Sequence, residues 1–182
     1  MTSRILPTTI ETAPEASRHT LSHLEQSFGR IPDLYATIAH SPTSLDSYLS
    51  WDHALTHSSL SRREIEQLYL HVSELNGCGY CVAAHEALGK HLGLSNLDVE
   101  RARLGVGSNP RENALLALAR RVVRTGGAKA GGEIAQCREA EVGDATIIDV
   151  LAAVALKTFT NAVAIVAQTS IDFPKAPRSP HD

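Results

Sequence analysis

Apolar residues recur along this chain at three- and four-residue intervals, and no stretch alternates for long at the two-residue period of a strand, so the pattern predicts helices throughout. Residues 1–11 carry no helical period and read as an extended arm. Thr12, Pro14 and Glu15 then read as a capping-box helix start, followed by Leu21, Leu24 and Phe28 up to Gly29. Ile31-Pro32-Asp33 opens a short helix to about Ala39, with Leu34 and Ile38 inward. Ser41-Pro42 opens a third, in which Leu45, Tyr48, Leu49 and Leu55 share a face and Trp51 lies beside it.

The clearest amphipathic run follows the capping box Ser61-Arg62-Arg63-Glu64, where Ile65, Leu68, Tyr69, Val72 and Leu75 fall on one stripe. Asn76-Gly77 ends that helix, since glycine takes the left-handed conformation of a helix C-terminus, and the next opens at Cys78. On it Cys78, Cys81, Val82, His85, Leu88, Gly89 and Leu92 form one inward stripe. Ser95 caps a short charged helix, and the loop Gly105 to Pro110 follows no strand, which argues against a phosphate cradle. Residues 111–124 give a helix with Leu115, Leu118, Ala119 and Val122 inward and Arg120, Arg121 and Arg124 outward. A glycine-rich connection, Thr125 to Gly132, leads to a short helix over 133–142 that holds Cys137, read as a plain structural or semi-exposed thiol.

Asp144 caps the last helix, apolar nearly all round from Ile147 to Ala167. Its length approaches the roughly 20 residues that cross a bilayer. Asp149, Lys157 and Asn161 interrupt it, however, and it lacks an aromatic belt or a basic flank, so it reads as a buried helix that also packs against another subunit, with no membrane partner. The tail, 171–182, is Pro-rich and is expected to drape over the surface or to fray. The expected fold is all-α, in a single domain spanning residues 1–182.

Composition narrows the class. With 43% hydrophobic and 20% charged residues and a formal net charge of -3, the chain has no electrostatic reason to bind nucleic acid. Three cysteines in 182 residues are too few for a disulfide framework, and the N-terminus lacks a signal-peptide run, which together point to a reducing, cytoplasmic setting. There a CxxC pair is catalytic or metal-binding more often than structural.

The chemistry therefore concentrates in Asn76-Gly77-Cys78-Gly79-Tyr80-Cys81-Val82-Ala83-Ala84-His85, with Glu66 on the preceding helix. Cysteines three apart in a first helical turn bring their sulfurs together, and the free N–H groups there favour a thiolate. His85, one turn beyond Cys81, is placed to accept a thiol proton or to stabilise the thiolate, and Glu66 to orient His85 or to join a proton relay. The same four side chains are acceptable zinc ligands, and a buried pair without chemistry is the blandest alternative. His40, His53 and His57 read as polar helix-end residues, His71 as a surface or interface residue, and Tyr69 as core.

Glu66, eleven residues, Cys78-Gly79-Tyr80-Cys81, three residues and His85 together resemble the signature of AhpD-like alkylhydroperoxidases of the carboxymuconolactone decarboxylase superfamily, in particular its peroxidase-related branch. Leu34 to Pro42 and Thr158 to Asn161 resemble it too, over residues of about 15–175. The resemblance implies a helical subunit in a trimer or hexamer and a dithiol peroxidase. In it Cys81 would attack the hydroperoxide, Cys78 would close the disulfide, His85 and Glu66 would relay protons, and an external lipoylated or thioredoxin-like dithiol would restore the pair. No cofactor is implied. The best-known members carry histidine where this chain has Tyr80, a poor base near neutral pH. Members that decarboxylate a lactone lack the cysteine pair. A redox sensor that cycles its disulfide without turnover is the non-enzymatic alternative.

Overall fold

Ser61 starts the central element. In the computed structural model, which describes residues 3–176, its hydroxyl accepts from the Glu64 amide while the Glu64 carboxylate accepts from the Ser61 amide. Ser95 and Asp98 close the same box on a later helix, and Ser41 and Asn109 cap two others. Among the described residues the elements are α1 (Glu15–Phe28), α2 (Asp33–Ile38), α3 (Pro42–Leu55), α4 (Arg62–Leu75), α5 (Gly79–His91), α6 (Asn96–Leu104), α7 (Pro110–Thr125), α8 (Gly131–Glu139) and α9 (Asp144–Ala167), with no strand. The all-α expectation holds.

Two expected caps differ. Thr12 makes no box with Glu15; its hydroxyl closes a turn with the Thr9 amide at 3.0 Å, and Pro14 is the N-cap of α1 without a side-chain bond. Asp144 is the first helical residue of α9 rather than its cap, which is Gly143, and it pairs with Arg138.

Residues 64–73 of α4 are buried all the way round, because α5, α6, α7 and α9 all pack against it. Its apolar stripe meets Leu115, Leu118 and Ala119 of α7 and Val150, Ala153 and Leu156 of α9 in one core cluster. Each fully buried leucine there contributes roughly 1.5–3 kcal/mol. The polar back of α4 is satisfied by residues far along the chain: Glu64 pairs with Arg111 at 2.7 Å, and Gln67 donates to Glu112 at 3.0 Å. Cys137 is fully buried in this cluster, so of the two readings of it the semi-exposed one does not hold.

His71 lies on the same back face and corrects the sequence reading. It is 1% exposed, with Nδ1 3.2 Å from the Arg103 carbonyl, and Gly105 lies against it at φ +74°. A Cβ at Gly105 would stand 2.4 Å from His71 Cε1. Gly105→Ala is therefore expected to cost about 2–4 kcal/mol through left-handed strain and overpacking, read as a fall in the urea midpoint.

A second cluster joins α1, α2 and the start of α3 to the first turns of α5: Leu21, Leu24, Leu34, Ile38 and Leu45 surround Cys78, Tyr80 and Cys81. The N-terminal arm is tied to the α9 end, Arg4 donating its amide to the Ala167 carbonyl at 2.7 Å, and to α2, Thr8 donating to Ala36 at 3.3 Å. The tail is described as far as Ala176; expectations for 177–182 lie outside the described residues. Asp172 accepts the Asp33 amide at 2.9 Å and pairs with Arg30, which also sits 4.9 Å above the Phe173 ring. This strap closes over α5.

α9 is long and apolar enough, by length and composition, to cross a membrane, yet half of its apolar window is buried within the protein. It packs against α2, α3, α4, α5 and α7, with Lys157 2% and Asn161 1% exposed. Its outer face leaves Ile148, Ile165 and Val166 exposed.

Candidate active site

The turn between α4 and α5 is a single left-handed glycine, Gly77 at φ +68°, and the Cys78 amide donates back to the Ser73 carbonyl at 2.9 Å. The reversal is tight enough to lay α5 antiparallel on α4, which brings Glu66 to His85. Cys78 is the N-cap of α5, its sulfur accepting the Cys81 amide at 3.3 Å. Both cysteines are free and buried, and His85 is buried with them. Leu88 and Leu92, expected on the same inward stripe, are 37% and 51% exposed, because that end of α5 runs past the core.

The two sulfurs differ in acidity. Cys81 is lowered to about 7, first by the hydrogen bond it receives from Cys78, then by the Lys157 charge and the Asn161 amide, against the opposing effect of burial. Cys78 is raised, first by holding its proton toward Cys81 and then by burial. The pair is thus split in acidity, with Cys81 the sulfur that ionises first and Cys78 the one that keeps its proton. An acid of lowered pKa ionises at lower pH, so the alkylation rate of Cys81 is expected to climb below about pH 7 and level off above it, whereas a free cysteine turns over near 8.5. Iodoacetamide labelling resolved by fragment mass spectrometry checks this.

The structure brings His85 and Glu66 together, with Nδ1 2.8 Å from Glu66 Oε2. Nε2 is not turned to a thiol: it lies 2.6 Å from the Nζ of Lys157, a residue that reading the sequence noted only as an interruption of α9. Burial first, and the Lys157 charge second, lower the His85 pKa and hold the ring neutral. A neutral imidazole carries one proton. Lys157 can only donate, so Nε2 accepts and Nδ1–H donates to the Glu66 carboxylate. The row therefore runs Glu66, His85, Lys157, and the positive charge at its end acts on Cys81.

Tyr69 and Asn161 complete the surroundings. Lys157 Nζ lies 4.2 Å from the Tyr69 ring centroid, a cation–π contact, and the Tyr69 hydroxyl donates to Asp52 at 3.0 Å. Asn161 donates to Ser73 Oγ at 3.1 Å and accepts from Asn76 at 2.9 Å, which ties the α9 amide to the α4–α5 turn. A lysine within an otherwise apolar helix was the one signal in sequence, since lysines are almost never fully buried unless paired.

Tyr80 takes no part in that row. Its hydroxyl accepts the Leu34 amide at 3.2 Å, its ring meets Phe173 edge-on at 5.7 Å, and burial raises its pKa. It anchors α2 and the tail strap. Among the described residues no three His, Cys, Asp or Glu side chains converge on a metal position, so the zinc alternative gains no geometric support.

The two sulfurs face different openings. Cys81, His85 and Lys157 line a narrow cavity of about 70 Å³ walled by Tyr35, Tyr48 and Phe173. Cys78 borders a wide groove of about 650 Å³ with Ser73, Asn76, Val82 and Ile171.

A dithiol at a helix N-terminus, backed by an ordered imidazole and a buried cation in an all-helical shell, defines the class as a helical thiol protein. The model of the carboxymuconolactone decarboxylase family matches residues 42–121, from α3 through most of α7, and the helical fold is AhpD-like. No curated protein matches it in sequence. Among solved structures it is similar to an alkylhydroperoxidase AhpD core, an uncharacterized peroxidase-related protein from Ralstonia eutropha JMP134, at 23% identity and TM-score 0.83, covering 93% of this chain and 92% of that one. A second uncharacterized peroxidase-related protein, from Silicibacter sp. TM1040, is 20% identical with TM-score 0.80 over 93% and 92%. The debrominase Bmp8 is 16% identical with TM-score 0.77 over 94% of both chains.

Proposed function

We propose that the protein is a dithiol peroxidase that reduces small organic hydroperoxides. The observation that carries this reading is the placement of the two neighbouring sulfurs, the more acidic Cys81 lining a narrow cavity and Cys78 bordering a wide groove. Cys81 attacks the terminal peroxide oxygen, which breaks the O–O bond, leaves a sulfenic acid and releases the alcohol. Cys78 then displaces hydroxide from that sulfenic acid, which leaves as water, and closes the disulfide. The aromatic walls favour an apolar substituent over hydrogen peroxide.

Reduction uses the other face. An external dithiol, lipoylated or on a thioredoxin-like protein, attacks Cys78 from the wide groove and expels Cys81, the sulfur of lower pKa and so the better leaving group. Self-association belongs to the same proposal, supported by the exposed Ile148, Ile165 and Val166 on α9; native mass spectrometry giving a trimer or hexamer bears it out, and a monomer removes it. The test of function is consumption of cumene hydroperoxide by the pre-reduced protein with dihydrolipoamide as reductant. Repeated turnover supports the proposal. Disulfide formation without turnover, with every dithiol tried, supports a sensor instead.

A further inference from the structure

We propose that Lys157 is the acid of the peroxide step, an ammonium that holds Cys81 as the thiolate and gives a proton to the alkoxide Cys81 expels. The proton-donor half rests on the function proposed above; the thiolate half does not. Lys157 is 2% exposed on α9, yet it shares with Cys81 the lining of the narrow cavity, where the leaving oxygen must emerge. Two contacts fix its head: donation to His85 Nε2 at 2.6 Å and the Tyr69 ring at 4.2 Å. An ammonium has three protons, so one engaged by His85 leaves others for the cavity.

Several charged or titratable groups surround it: Cys78, Cys81 and His85 on α5, Glu66 and Tyr69 on α4, and Asp52 on α3 behind Tyr69. Glu66 supplies the compensating negative charge in the reduced resting state, transmitted through the neutral imidazole, and Cys81 a second when ionised. Lysine charge also acts on Cys78, which favours its ionisation for the attack that follows.

The step balances. The Cys81 thiolate and ROOH give Cys81–SOH and RO⁻; RO⁻ takes a proton from Lys157 to leave as ROH; the amine then takes the Cys78 proton, and the Cys78 thiolate closes the disulfide as hydroxide leaves. The recovered ammonium protonates that hydroxide to water and regains its proton from solvent.

The test replaces Lys157 by Met, which keeps length and removes charge. In wild type and Lys157→Met, the pH midpoint of Cys81 alkylation and the single-turnover rate with hydroperoxides of graded leaving-alcohol acidity are measured. The midpoint is expected to rise by about 1–3 pH units, the range an adjacent opposite charge produces. The rate is expected to depend weakly on the leaving alcohol in wild type and steeply in the variant, and Lys157→Arg should restore part of the midpoint shift. A folded Lys157→Met with unchanged midpoint and unchanged leaving-group dependence overturns the proposal. Should the variant not fold, ¹⁵N spectra of wild-type His85 decide: an unprotonated Nε2 supports the arrangement, and an Nε2–H form overturns it. A wild type that consumes no peroxide overturns the proposed function and the donor half alone, because the alkylation midpoint still decides the other.

Discussion

Cys81→Ser is expected to lower hydroperoxide consumption by roughly 10³-fold or more, the order lost when a nucleophile is removed, whereas Cys78→Ser keeps a single fast turnover per site and then stops. The asymmetry follows from the acidity of the pair. Cys81 receives the hydrogen bond of Cys78 and the fields of Lys157 and Asn161, so it is the sulfur that carries charge near neutral pH. Cys78 holds its proton and borders the wide groove, so the proposed mechanism gives it the closing and reopening of the disulfide. Without Cys78 the sulfenic acid has no partner and accumulates. Rapid-mixing kinetics against one equivalent of peroxide separates the two variants; a Cys81→Ser protein that keeps full turnover refutes the assignment.

The second large effect concerns stability. Glu66 is 9% exposed and holds His85 at 2.8 Å, and it faces the charge of Lys157 through the imidazole. Glu66→Ala removes the negative end of that row and leaves the buried cation facing only the charge that Cys81 carries when ionised, a loss bounded by the roughly 3–5 kcal/mol that breaking a buried pair costs. Glu66→Gln still accepts the His85 proton and is expected to lose less. Because replacing both ends of a buried ionic set by apolar groups is often close to neutral, Glu66→Ala combined with Lys157→Met should recover much of the single-variant loss in urea unfolding. Strict additivity of the two would mean that Glu66 and Lys157 are not coupled.

Local features of this chain were legible in its sequence. The boxes at Ser61 and Ser95 depend on residues three apart, the α4–α5 reversal on one glycine, and the grouping of Cys78, Cys81 and His85 on a helical period, so nothing distant had to be known. Glu66 beside His85 followed from the shortness of the turn. Thr12 was misread because a hydroxyl competes equally well for a local turn, which here it closes with Thr9.

What stayed hidden depends on contacts far along the chain. His71, on the polar back of α4, read as a surface or interface residue, yet α6 and α7 supply the partners that bury that face. The direction of Tyr80 is set by Leu34 and Phe173, and neither lies near it in sequence. Lys157 stands seventy-two positions from His85. Only its isolation among apolar residues marked it, and that mark does not say which group it would meet.

In the proposed mechanism a thiolate at Cys81 takes the peroxide oxygen. The most direct measurement of that step treats reduced Cys78→Ser with one equivalent of cumene hydroperoxide in the presence of a sulfenic-acid trap, followed by fragment mass spectrometry. One trapped adduct on Cys81, with one equivalent of cumyl alcohol released, is the predicted result. Alcohol release without an adduct at Cys81, or no alcohol at all, contradicts the account.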